Sequence, residues 1–201
     1  MSEITDGRRR RRRTDADRSA ASILRAALEV LGTDPNAGVE DVAMAAGVSR
    51  QTVYAHFKNR DALVSAAIDA VTADAVSEMD TAELDEGPAG AALLRLLDAS
   101  WRTIHRYPLL LAAATESVGA AADDTRHNAV LDHLSRVLDR GQESGEFTRD
   151  QPIGWLATAV VTLGHAAGAA VAAGRMTLPE AVDALAASSL RVCGVDRPAE
   201  R

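Results

Sequence analysis

The chain has 201 residues, one cysteine, only 3% aromatic residues and a net charge of −7. This length allows one or two domains with a buried core, and the abundance of alanine and leucine without alternating β-branched runs predicts an all-α fold. The single cysteine excludes an intrachain disulfide and a cysteine-based zinc site. The polar residues after the N-terminal arginines are unlike a secretory signal, so we expect a cytoplasmic protein.

The charge is unevenly divided along the chain. Residues 1–60 carry 11 Lys and Arg against 8 Asp and Glu, whereas residues 61–201 carry 11 against 21. A basic head on an acidic body is typical of a protein whose head binds a polyanion while its body stays off DNA. A purely solvated charge difference would give the same pattern.

The N-terminus combines a basic arm with a first helix. We expect residues 1–14 to be disordered, because they contain the like-charge block Arg8, Arg9, Arg10, Arg11, Arg12 and Arg13. Apolar residues at spacings of three and four then predict a helix over about residues 15–31, with Gly32 as its C-terminal stop.

Two short helices joined by a glycine-containing turn follow. The first spans residues 39–46 and the second spans Arg50–His56, with Gly47 at the turn and Ser49 as N-cap of the second helix. This order is a helix-turn-helix pattern, which predicts a three-helix DNA-binding domain over residues 15–60.

The second short helix carries side chains suited to DNA. Base edges in the major groove are read from the N-terminal end of such a helix, where we place Arg50, Gln51 and Thr52. Later positions reach phosphates, and for these we predict Tyr54, His56, Lys58 and Arg60. Val53 and Phe57 are assigned to the core. Each residue alone fits an ordinary structural role, but their order favours a recognition helix.

A connecting helix over residues 61–80 leads into a body over residues 81–201. Apolar periodicity predicts body helices near residues 88–106, 108–120, 124–144, 152–173 and 178–192. The uncharged stretch from Ile153 to Gly174 is long enough to span a membrane. Its many alanines and glycines favour instead a buried helix of a water-soluble bundle, so we expect no membrane partner.

The segment VEDVAMAAGVSRQTVYAHFKNRDAL resembles the helix-turn-helix of the tetracycline-repressor (TetR-like) family. The matching residues are Val42-Ala43, Ala46-Gly47-Val48-Ser49, Thr52 to Phe57, Arg60-Asp61 and Leu63. The resemblance is strong over residues 20–68 and weaker beyond them. It implies an all-helical chain, a homodimer through residues 152–192, and a ligand cavity in the body whose occupancy alters DNA affinity. Glu40 departs from a pattern in which this helix supplies a cationic base contact.

Polar or aromatic residues on the otherwise apolar body helices are the candidates for the ligand cavity. They are Trp101, His105, Tyr107, Glu116, Trp155, Thr158 and Thr162. A satisfied core tryptophan or histidine is the alternative for each. The histidines lack metal-ligand spacing with carboxylates, so we predict no metal and no cofactor.

The sequence therefore predicts a ligand-responsive transcriptional regulator that binds a palindromic DNA operator as a homodimer and is released by an unknown small-molecule effector. We expect a repressor rather than an activator, and this expectation rests on the family resemblance alone. A ligand-indifferent DNA-organising protein is one alternative. A helical carrier or enzyme is another, but no nucleophile-base arrangement or phosphate-binding glycine loop is visible, so we do not expect an enzyme. The arginine arm is expected to contact DNA, the alternative being an unengaged tail.

Overall fold

The computed structural model describes the backbone of residues 3–104, 106–107 and 120–195, and the side chains of residues 18–103, 106–107 and 128–195. Within these ranges every regular element is an α-helix, which confirms the predicted all-α fold. The helices are α1 Glu3–Thr33, α2 Val39–Ala45, α3 Arg50–His56, α4 Arg60–Asp80, α5 Ala89–Ile104, α6 Ala120–Ser144, α7 Ile153–Ala172 and α8 Leu178–Val192. The helix predicted near residues 108–120 lies almost wholly outside the described residues.

The first helix starts earlier than the sequence pattern indicates. It begins at Glu3 rather than near residue 15, so the backbone of Arg8–Arg13 is helical and not a disordered arm. Arginine is a good helix former, so a run of arginines is compatible with a helical backbone. The helix also passes through Gly32 and ends at Thr33, so Gly32 is not the stop.

The turn of the helix-turn-helix and the N-cap of α3 follow the predictions, and α4 has a cap of the same kind. Gly47 adopts a left-handed φ of 68°, which a glycine reaches without steric cost. Ser49 Oγ accepts a hydrogen bond from the Thr52 N–H at 3.1 Å and caps α3. Asn59 Oδ1 accepts from the Ala62 N–H at 2.8 Å and caps α4. These local bonds fix where the short helices begin.

The head has its own hydrophobic core. Helices α1, α2, α3 and the first half of α4 enclose it, with Ile23, Leu31, Val42, Val53 and Leu63 each 1% exposed or less. Burial of these side chains holds α3 against α1 and α2, so the opposite face of α3 is left open to solvent.

A second core fills the body, and α4 belongs to both cores. Helices α5 to α8 surround buried side chains that include Leu93, Leu138 and Leu156. Leu63 to Val71 of α4 lie in the head core, whereas Met79 near its end lies in the body core. Helix α4 therefore connects the body core to the core that holds the helix-turn-helix.

A second contact joins the head to the body. Tyr107 follows α5, yet its half-buried ring packs against the head core. A Cβ built on Gly32 would lie 3.0 Å from Tyr107 Cδ1, so the glycine permits this close approach to α1. The predicted cavity residue Tyr107 therefore lies at the junction between head and body.

Substitution of Gly141 by alanine is expected to destabilise the body. The added Cβ would overlap Cδ2 of Phe147, a ring that is only 3% exposed and therefore has little room to move. Overpacking of this kind costs about 1 to 3 kcal/mol of unfolding free energy, measurable by urea denaturation. Gly90→Ala, whose Cβ meets Leu190 at an ordinary 3.7 Å, is the control within α5 and should be at least as stable as the parent, because alanine favours a helix by up to about 1 kcal/mol over glycine.

Candidate nucleic-acid interface

Helix α3 exposes the residues predicted to read bases. Arg50 and Gln51 are exposed, while Val53 is 1% exposed and turned into the head core. Thr52 is half-buried, and its hydroxyl lies 2.9 Å from Ser49 Oγ. The structure thus brings Arg50 and Gln51 together at the open N-terminal end of α3, with Thr52 linked to its cap.

The residues predicted to contact phosphates divide into two groups. Tyr54 is 45% exposed and Lys58 is exposed, so both are accessible to a DNA backbone beside α3. His56 is half-buried, and its ring lies 6.3 Å from that of Phe57 at a tilt of 49°. Part of the His56 ring therefore packs against the protein, and only the remainder is accessible to DNA.

Arg60 is directed at the protein itself. Its Nε donates to the Ala37 carbonyl at 3.0 Å, and its Nη2 donates to the Pro35 carbonyl. Both acceptors lie in the loop between α1 and α2, so Arg60 ties the start of α4 to that loop. The sequence pattern assigned Arg60 to phosphates because contacts across 23 residues leave no local signal.

Alanine substitutions should separate the roles of Lys58 and Arg60. Lys58→Ala removes an exposed cation and is expected to weaken binding to all DNA sites while unfolding like the parent. Arg60→Ala is expected to weaken DNA binding and also to lower the unfolding free energy by about 1 to 2 kcal/mol, because two loop carbonyls lose a charged donor. Fluorescence anisotropy with duplex DNA, together with thermal melting, measures both effects. Equal melting temperatures would contradict the loop role of Arg60.

The predicted cavity residues do not come together in the described part of the chain. Trp101 is 7% exposed within the body core, and Trp155 is 61% exposed on α7. Thr158 and Thr162 are exposed, and their hydroxyls donate to carbonyls of their own helix, at 2.9 Å and 2.8 Å. His105 and Glu116 lie outside the described residues. A ligand cavity built from this set stays a prediction.

An open cleft of about 640 Å³, which no sequence pattern indicated, lies where the end of α4 meets α6. His133 of α6 is 9% exposed, and its Nε2 lies 3.2 Å from Asp80 Oδ1. Its Nδ1 lies 2.6 Å from Arg136 Nη2. The other lining residues are Met79, Glu83, Leu84, Asp85 and Glu86. This polar, open cleft differs from the enclosed apolar sites typical of small-molecule binding.

Together these features define a class of protein. A helix-turn-helix that exposes arginine and glutamine at the start of its second helix, joined by a shared helix to a separate helical body, is the architecture of a DNA-binding protein with an attached second domain. The comparisons with known proteins agree. Residues 23–67 match the model of the bacterial regulatory proteins of the tetR family. Residues 23–67 are therefore similar to the N-terminal domain of that family, which confirms the resemblance seen in the sequence.

Relatives extend the likeness to the body. The transcriptional repressor LfrR of Mycolicibacterium smegmatis is 35% identical over 83 residues, which are 41% of this chain and only 44% of that protein. The crystal structure of LfrR from Mycobacterium smegmatis with proflavine is 27% identical, with a TM-score of 0.67 over 86% of this chain and 94% of that one. FadR from Bacillus subtilis with stearoyl-CoA shares the fold, at 17% identity and a TM-score of 0.71 over 88% and 99% of the two chains.

Proposed function

We propose that this protein is a transcriptional repressor that binds a palindromic operator as a homodimer and releases it when a small-molecule effector occupies the body. The observation that carries the proposal is the exposed pair Arg50 and Gln51 at the start of α3, within a tetR-family domain. Arginine donates two hydrogen bonds to guanine and glutamine pairs with adenine, so this end of the helix suits base readout. That a repressor is 35% identical to this chain over 83 residues supports repression over activation.

The proposed dimer uses the exposed face of α7 together with α8. Leu156, Ala157 and Val160 of α7 are buried against the body, whereas Trp155, Thr158, Thr162, Ala166 and Ala169 are exposed at spacings of three and four. A continuous uncharged stripe on a surface helix is typical of a protein interface.

The same helix bears on the membrane alternative. Among the described residues, Ile153–Ala172 is long and apolar enough to cross a membrane, with a mean hydropathy of 1.5 and 22% of the window buried. One face of α7 already packs on α6 and α8, and the tetR-family structures that share this fold are transcriptional regulators. A second copy of this chain therefore suits the exposed face better than lipid does, and we propose a cytoplasmic dimer without a membrane partner.

Effector release follows from the shared helix. A ligand that binds the body better when the two heads are wrongly spaced for DNA lowers operator affinity by its differential affinity for the two states. Helix α4 and the Tyr107 contact on Gly32 connect body to head, so they are the proposed route.

Sequence-specific DNA binding is tested by selecting binding sites from random duplex DNA and footprinting the selected duplexes. The proposal expects an inverted repeat with half-sites about 34 to 36 Å apart or somewhat more, protected by a dimer. Equal binding to every duplex would instead favour the DNA-organising alternative, and no binding would remove the DNA-binding function altogether.

The effector response is tested separately on the selected duplex. Proflavine and stearoyl-CoA serve as first probes because related folds hold them. A compound that binds the body is expected to lower operator affinity about 5- to 150-fold. A protein whose operator affinity ignores every compound that binds its body would refute release while leaving DNA binding intact.

A further inference from the structure

An ion pair joins the two helices of the helix-turn-helix at the surface that α3 presents. Arg50 Nη1 lies 2.5 Å from Glu40 Oε1, and the two side chains are 58% and 56% exposed. Arg50 is the first residue of α3, and Glu40 is the second residue of α2. The guanidinium best placed to read a base therefore has a carboxylate partner on the neighbouring helix.

This pair contributes little to stability. Exposed ion pairs gain modest energy in water, where solvent and salt screen them. Buried Val42 and Val53 already hold α2 against α3 within the head core. The consequence of the pair lies instead in the direction and net charge of the arginine that meets DNA.

The position of the carboxylate is constrained from two sides. A Cβ built on Gly38 would lie 2.9 Å from Glu40 Oε2, so the space left by this glycine accommodates the second carboxylate oxygen. Glu40 also lies in the first turn of α2, where the positive end of the helix dipole favours a negative charge. One oxygen thus rests over Gly38 while the other engages Arg50.

The chemistry of the pair favours a base over a phosphate. A guanidinium has five N–H donors in a rigid fork, so Glu40 can engage Nη1 while other donors stay available. A freely moving arginine on a DNA-facing surface is drawn to phosphates, which carry no sequence information. A carboxylate beside it repels phosphates but tolerates the O6 and N7 acceptors of guanine at the groove floor.

We propose that Glu40 is a positioning residue that directs Arg50 to the edge of a guanine and thereby sets base preference at one position of each half-site. The inference rests on the proposed DNA binding and adds a specificity determinant to it. Glu40 also cancels one positive charge of the reading surface, so it restrains binding to DNA of unrelated sequence.

The test compares site selection and salt dependence for the full-length parent, Glu40→Gln, Arg50→Ala and the double variant. Glu40→Gln keeps the side-chain size and removes the charge, so base preference at one half-site position should fall about fivefold or more. Its affinity for unrelated duplex should rise, with a slope of log affinity against log salt steeper by about 0.9 per head. Arg50→Ala should lose preference at the same position, and adding Glu40→Gln to it should change that position no further.

Glu78→Gln is the matched control. Glu78 is an exposed glutamate of α4, about 27 Å along the helix from Arg60. Its substitution by glutamine removes the same charge at a site far from α3. It should alter neither base preference nor salt slope. If Glu40→Gln keeps the parent's base preference, or loses it at a different position from Arg50→Ala, the positioning role is overturned. A parent that selects no sequence at all defeats the proposed function instead.

Discussion

Ala169→Glu is expected to convert the dimer into monomers and to abolish binding to the inverted repeat. Ala169 is exposed on the uncharged stripe of α7. In a twofold interface the same patch meets itself, so one substitution introduces two carboxylates. An uncompensated charge buried at such an interface costs about 3 kcal/mol or more, which weakens association at least about a hundredfold. Sedimentation velocity and operator binding measure the two consequences.

The matched control is Ala73→Glu on α4. Ala73 is also an exposed helical alanine, but α4 packs on α1, α5 and α6 and does not belong to the α7 and α8 surface. It should leave the protein dimeric and its operator affinity unchanged. If Ala169→Glu sediments as the parent does, the proposed dimer surface is wrong. Monomers that bind the inverted repeat with full affinity would show that dimerisation is not needed for recognition.

The helix-turn-helix could be predicted from sequence because its determinants are local. The N-cap Ser49 acts three residues ahead of its donor, and Gly47 takes its left-handed conformation within the turn itself. The inward position of Val53 follows from helical spacing. For the same reason the exposure of Arg50 and Gln51 could be read from sequence spacing alone.

The positions that sequence could not assign depend on contacts between distant segments. Arg60 looks like any cation after a recognition helix, yet it donates to carbonyls in the loop between α1 and α2. Tyr107 directly after α5 and Trp155 on α7 are both aromatic residues in apolar surroundings, but Tyr107 packs on Gly32 and Trp155 is 61% exposed. The same sequence pattern, a polar or aromatic residue on an apolar helix, is found at a ligand cavity, at a domain junction and at an oligomer interface. The pattern alone therefore does not distinguish these three sites.

The extension of α1 through the arginine block changes what the block can do. Six consecutive helical residues point all round the helix, so about half of them can face one DNA backbone at a time. Two such helices in a dimer would engage about six phosphates, each worth about 0.9 in the slope of log affinity against log salt. Replacing Arg8–Arg13 with glutamine is therefore expected to flatten that slope by about 5, with the site preference unchanged.

Glutamine is chosen because it favours the helix nearly as well as arginine does, so α1 should keep its length. Binding to the selected repeat is measured from low to moderate salt, and circular dichroism verifies the helix content. The control replaces Arg102, an exposed arginine of α5 outside the α7 and α8 surface, with glutamine, and it should leave the slope as in the parent. Loss of affinity without a change of slope would mean that the block acts through folding of α1. An unchanged slope with unchanged affinity would make the block an unengaged extension of the head.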